Sequence, residues 1–159
     1  MKRCLKIMER MIVQNAEHEK FHDYKYYEDK SKEVEHRYYG SVLPIWRFMN
    51  EKCRKKHVTS MCWNPQYNDF FAVGYGSYDF LKELPGLICC WTIKNPTWPE
   101  YMFHTDSGVM CIDFHQKHPA LLAVGLYDGT VMVFDIRETS RNPIYHSTVR
   151  TNKHTDPVW

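Results

Sequence analysis

The residues best placed to do chemistry are His18, Glu19 and His22, which satisfy the pattern His-Glu-x-x-His. On a helix that spacing puts two imidazoles on one face to hold zinc, with Glu19 as the general base that activates a metal-bound water. Glu33, Glu35 or His36 could supply a third ligand. The surroundings argue for a plainer account. From Glu17 to Arg37 charged and tyrosine residues dominate, so nothing apolar flanks the motif to bury a metal, and the short stretch upstream of it holds no catalytic scaffold. The motif reads as a solvated helix face that binds no stoichiometric zinc, and a zinc metallopeptidase is the lesser alternative. No Gly-x-Ser-x-Gly or phosphate-cradling glycine loop occurs, and Gly74-x-Gly76 follows a strand pattern without opening a helix. The expectation is a chain that is not an enzyme, with no catalytic, cofactor or metal residues.

Cys4, Cys53, Cys62, Cys89, Cys90 and Cys111 raise the question of a disulfide frame or a zinc ribbon. Glu9 and Arg10 interrupt any apolar start signal, and no uncharged run reaches the roughly 18 residues of a membrane span. A reducing compartment is expected. No Cys-x-x-Cys pair is present, and Cys62, Cys89, Cys90 and Cys111 fall on predicted strands, where they read as small core residues.

Charge is divided unevenly. Residues 1–56 hold 14 Lys and Arg against 9 Asp and Glu, while residues 57–159 hold 7 against 10, so a basic N-terminal portion precedes a slightly acidic remainder in a chain of net charge +2. The densest patch, Lys52-Cys-Arg-Lys-Lys56, could attract nucleic acid or a microtubule. Without an aromatic stacking platform it reads as a solvated loop, and neither a nucleic-acid nor a membrane partner is expected.

The elements that must carry these residues come from a repeat. Val58–Gly74 lies over Val109–Gly125 without a gap at an offset of 51, and Gly86–Ile93 lies over Gly129–Ile136 at an offset of 43. The difference is an insertion, Ser77–Gly86, in the first copy. A period of about 40–45 residues built from short strands is the signature of propeller blades, none of which can bury its faces alone. Val109–Phe114 alternates, Ala120–Val124 is a near-continuous apolar run, and Thr130–Phe134 is β-branched and apolar, which predicts three consecutive strands. Asp128-Gly129 predicts a two-residue hairpin turn between the second and third. Outer fourth strands are expected at Glu100–Phe103 and Ile144–His146. Ahead of the repeat, Ile7, Met8, Met11 and Ile12 sit at helical spacing, and a helix docking a few apolar side chains is expected. Val42–Phe48 returns to β character despite Pro44, which suits an edge strand.

These residues resemble the WD-repeat family. His104-Thr-Asp-Ser-Gly-Val109 is similar to the loop that opens a repeat, Leu122–Gly129 to its inner strand and turn, and Phe134-Asp135 to its terminal Trp-Asp pair, with Trp91 standing at that position in the first copy. The resemblance implies a buried hydrogen-bond set in each blade. Only a partial one is expected here, from His104 to Asp128, because Val124 replaces the hydroxyl residue and Phe134 the tryptophan. A tighter resemblance, to the axonemal dynein intermediate chains, runs through Leu5–Met11, Asp23–Asp29, Val42–Phe48, Cys62-Trp-Asn-Pro65, Phe71–Phe80, Lys94-Asn-Pro96, Pro99–Phe103, Ser107–Cys111 and His154–Trp159. The Phe71–Phe80 string is the most specific of these, since a generic WD repeat lacks the insertion.

The resemblance implies a non-catalytic subunit of a dynein arm in the cytoskeleton of a cilium or flagellum, bound to a dynein heavy chain and other arm subunits and reaching microtubules through that complex. It also implies that Val42–Phe48 supplies the outer strand of the blade that closes the ring. A WD-repeat adaptor unrelated to dynein is the alternative. The expected organisation is an all-β, incomplete WD40-type propeller: a helical or partly disordered extension over 1–40, an outer strand and basic linker over 41–56, blades over 57–103 and 104–153, and the opening of a third repeat over 154–159. Propellers close with about four to eight blades, so the chain reads as a fragment or a truncated product, with exposed strand edges that invite aggregation. The insertion should project from one rim and offer Tyr78, Phe80 and Leu81 to a protein partner.

Overall fold

The computed structural model describes residues 2–18, 46–79 and 81–159. Eight strands follow a 15-residue helix, α1 (Lys2–Ala16): β1 (His57–Trp63), β2 (Phe70–Gly76), β3 (Gly86–Thr92), β4 (Tyr101–Thr105), β5 (Val109–Phe114), β6 (Leu121–Leu126), β7 (Val131–Asp135) and β8 (Tyr145–His146). They form two four-stranded sheets, β1-β2-β3-β4 and β5-β6-β7-β8, antiparallel throughout and in sequence order. The mostly β, incomplete-propeller reading holds. The two sheets repeat each other even in their irregularities. Each first strand carries a register shift at the same place, between Val58 and Ser60 in one and between Val109 and Cys111 in the other. Such a bulge adds an unpaired residue and local twist.

Alternation along the strands decides which face each side chain covers. Ala72, Ile88, Cys90 and Phe103 of the first sheet bury against Val109, Ile112, Phe114, Leu122, Val124, Leu126, Phe134 and Ile136. The intervening residues, Phe71, Val73, Tyr75, Leu87, Cys89, Trp91 and Met102, line the opposite face of the first sheet. That face is covered in part by Phe48, whose ring meets Phe71 and Trp91 edge-on at 4.9 and 5.5 Å, and by Cys53. β3 is therefore buried along its whole length, which is why Leu87–Trp91 reads as a continuous apolar run. Close packing of the sheets needs a missing side chain: a Cβ on Gly74 would lie 2.6 Å from Val109 Cγ1. Gly125, 51 residues on, has the same relation to Val158, 2.7 Å away, and the Val158 N–H donates to the Leu126 carbonyl. The segment His154–Trp159 thus enters against the second sheet as His104–Val109 does against the first.

Three local expectations are corrected. The β6–β7 connection is a three-residue loop, Tyr127-Asp-Gly129, closed by a Leu126 N–H bond to the Thr130 carbonyl and a Gly129 N–H bond to the Leu126 carbonyl. Only Gly129 has positive φ, at 83°, so this is a type I turn with a glycine bulge and not a two-residue mirror-image turn. The predicted outer strand at Val42–Phe48 lies partly outside the described residues. Within them Trp46–Asn50 belongs to no strand and leads into a 3₁₀ turn, Glu51–Cys53, which the Asn50 side chain caps by accepting from the Lys52 N–H at 3.0 Å.

The third correction concerns α1. It forms as expected, yet Leu5, Ile7, Met8, Met11 and Ile12 are all exposed and Val13 alone is buried. The docked side is the charged one. Glu100, whose side chain is almost wholly covered, accepts from Lys6 Nζ at 2.8 Å and from Arg10 Nη2 and Nε at 2.8 and 3.0 Å, and Lys6 also sits over the Tyr101 ring. Burial raises the Glu100 pKa, but the bonds from Lys6 and Arg10 outweigh it and hold the group below its ordinary value. A depressed carboxylate pKa contributes above the ordinary glutamate range and is lost as pH falls through the folded-state value. Glu100→Gln at neutral pH is expected to weaken α1 docking by about 1 kcal/mol, since Lys6 and Arg10 are themselves partly exposed. Tryptic cleavage at Lys6 and Arg10 should quicken in the variant; equal rates would show that this clamp does not hold the helix.

Candidate interaction rim

The β2–β3 loop that carries the insertion stands on one rim beside Gly108 and Tyr127, and Ser77, Asp79, Glu83 and Leu84 line a small cleft with them. The loop is built on local bonds. The Asp79 N–H donates to Ser77 Oγ, the Leu81 N–H to Asp79 Oδ1 and the Lys82 N–H to the Asp79 carbonyl, an arrangement of side chain and backbone that substitutes for a strand ladder. Its far end is fixed by Lys56 Nζ on the Pro85 carbonyl. The three residues expected to face a partner separate here. Leu81 is 98% exposed. Tyr78 is half exposed but turned back on β1: its N–H donates to His57 Nδ1, its hydroxyl donates to the Val58 carbonyl at 3.1 Å, and its ring stacks on His57 at 5.8 Å. Phe80 lies outside the described residues.

The expected His104–Asp128 hydrogen bond does not form. His104 pairs across the sheet with Leu87, and alternation puts it, exposed, on the face turned away from the second sheet, which carries Asp128. The neighbouring Thr105 and Ser107 make the connection instead. The Thr105 hydroxyl donates to the Ser107 carbonyl at 2.8 Å, and Ser107 Oγ accepts from the Asp128 N–H at 3.1 Å. The Asp128 carboxylate accepts from the Thr130 N–H, from the Thr130 hydroxyl at 2.7 Å and from Lys153 Nζ at 2.7 Å. Burial raises its pKa and these bonds more than reverse the effect, so it stays ionised below the usual aspartate range. Trp91 and Phe134 are wholly buried, and Asp135, also buried, is held by the Arg137 N–H and guanidinium.

His18 ends the helical segment as an exposed residue, while Glu19 and His22 lie outside the described residues. Among the described residues no three His, Cys, Asp or Glu side chains are grouped to hold a metal ion. Two features escaped the sequence reading. One is the α1 clamp with the cavity beside it, about 730 Å³ on the opposite rim, bounded by Arg10, Asn64, Lys94, Glu100, His118 and Arg137. The other is a thiol pair, Cys53 and Cys89. The Lys52–Lys56 cluster signalled a solvated loop, yet Cys53 within it is buried; its place as the last residue of a short turn capped by Asn50 was the signal available.

Two stacked, mutually repeating four-stranded sheets, each with a glycine packed closely against a valine of the segment that follows it, define a WD-repeat propeller segment. The WD domain, G-beta repeat family matches residues 99–135. Solved structures give the fold alone: a chain of "COPII on membranes, outer coat vertex" superposes with a TM-score of 0.51 at 18% identity, over 61% of this chain and 24% of that one. Within this class the chain belongs to the axonemal dynein intermediate chain family. It is 51% identical to "Dynein intermediate chain 2, ciliary" of Heliocidaris crassispina and 47% identical to "Dynein axonemal intermediate chain 1" of Rattus norvegicus, each over 97% of this chain. It is 53% identical over 96% of its length to "Dynein, 78 kDa intermediate chain, flagellar outer arm" of Chlamydomonas reinhardtii. The chain spans 22% of the length of each of these relatives.

Proposed function

We propose that this chain acts as a non-catalytic, scaffolding part of an intermediate-chain subunit in an axonemal dynein arm, associating with heavy chain and other arm subunits in a cilium or flagellum. The observation that carries the reading is 47–53% identity across almost the whole chain to ciliary and flagellar intermediate chains. Blades whose side chains are held in local bonds suit a binding scaffold, and motor chemistry then belongs to the partner.

The insertion rim is the contact surface in this reading. Tagged chain expressed in a ciliated cell should co-sediment with dynein arms in a salt extract of axonemes. Its absence from the arm fraction while present in the cell would overturn the proposal. Because Tyr78 is committed to β1, Leu81→Ser is the cleaner probe of the rim: it should leave the thermal melt unchanged and weaken co-sedimentation at least about fivefold, the loss expected for an apolar anchor of at least about 1 kcal/mol. Undiminished binding would remove the rim from the contact.

A further inference from the structure

Cys53 and Cys89 come from different elements, the capped 3₁₀ turn that lies over the first sheet and the middle of β3, yet their Sγ atoms are 3.6 Å apart. We propose that they form a redox-responsive dithiol, a modification site at which a peroxide converts the pair to a disulfide and staples the linker to the blade. A disulfide needs its sulfurs at about 2.05 Å, so closure requires roughly 1.5 Å of approach. The turn can supply this, because Trp46–Asn50 before it is irregular and it is not laddered into a sheet, whereas Cys89 is fixed between β2 and β4.

The two thiols are unequal in the way such chemistry requires. Cys53 lies at the margin of the core, 9% exposed, and Cys89 is wholly covered. The hydrogen bond with Cys89, against the opposing effect of burial and with help from Tyr75, the Asn50 backbone and Lys56, brings Cys53 down to about 7. The same bond and burial push Cys89 far up. Cys53 is thus the attacking thiolate, and Cys89, keeping its proton, is the resolving thiol. Two other cysteines are poorer candidates: burial pushes Cys62 up to about 11, and Cys90, next to Cys89 in sequence, points into the core between the sheets.

The step balances. The Cys53 thiolate attacks one peroxide oxygen, breaking the O–O bond, and the leaving hydroxide takes a proton to become water, which leaves Cys53 as a sulfenic acid. The Cys89 sulfur then displaces the hydroxyl, forming the S–S bond, and its proton departs with that group as a second water. Two thiols are oxidised by two electrons and one hydrogen peroxide is reduced to two waters.

Reduced chain is treated with one equivalent of hydrogen peroxide, alkylated, digested without reductant and weighed. The expected product is one cross-linked peptide pair containing Cys53 and Cys89, two hydrogens lighter than the separate thiols, and lost on adding a thiol reductant. It should persist in Cys62→Ser and vanish in Cys53→Ser; should the latter variant not fold, the wild-type peptide map decides alone. Recovery of Cys53 and Cys89 as separate alkylated thiols or oxyacids, or a cross-link through Cys4 instead, would overturn the assignment.

Discussion

Phe134→Ala should lower the stability of the chain by about 3–5 kcal/mol, the range for deleting a fully buried aromatic side chain. Phe134 is wholly buried on β7, and its ring lies 4.9 Å from that of Phe103 on β4. Since β4 and β7 belong to different sheets, the loss combines transfer of the ring to water, a cavity, and an aromatic pair worth about 0.5–1.5 kcal/mol beyond its area. More than a local defect is expected, because blades of a repeat fold depend on the interface with their neighbour. A thermal or denaturant melt provides the check, with Tyr145→Ala, at 72% exposed, as the reference that should barely move it. A melt of Phe134→Ala indistinguishable from that reference would mean that the two sheets do not support each other through this contact.

Gly129→Ala is expected to cost at least about 2 kcal/mol, from a left-handed backbone that an L side chain disfavours by roughly 1–2 kcal/mol and from forced repacking. The φ there is +83°, and a Cβ would fall 2.1 Å from the His154 carbonyl oxygen, a backbone atom that cannot rotate away. The segment that begins at His154 must shift, so the variant should release residues 153–159 to protease as well as lower the melt. Gly108→Ala is the matched control, because the nearest atom to its new Cβ is 3.4 Å away and its backbone is ordinary. Equal stability of the two variants would show that the terminal segment is not seated on this turn.

The sheets were legible because period-2 alternation survives in short strands, and because the repeat gave two readings of each one. Turn type was not: Asp128-Gly129 signals a tight hairpin, but whether two or three residues close it depends on the register of Gly125 with Val131, which no local pattern specifies. His104 and Asp128 were the right residue types in the right order. One position along β4 decided the outcome, since pleating sends His104 outward and brings Thr105 and Ser107 to the turn. The docked side of α1 was misread for a related reason. Apolar spacing marks the side of a helix that prefers burial, but what lies opposite decides which side docks, and here it is Glu100, some 90 residues away in sequence.

That arrangement gives the helix and the blades opposite responses to dissolved ions. The two sheets are joined by apolar burial, which kosmotropic salts strengthen. Lys6, Arg10 and Glu100 hold α1 through charge, and Lys6 and Arg10 are open enough to water for added electrolyte to screen them, with a Debye length falling from about 10 Å at 0.1 M to about 3 Å at 1 M. A concentrated sulfate solution would therefore tighten the propeller segment while loosening its N-terminal helix, freeing α1 to leave the blade without unfolding it.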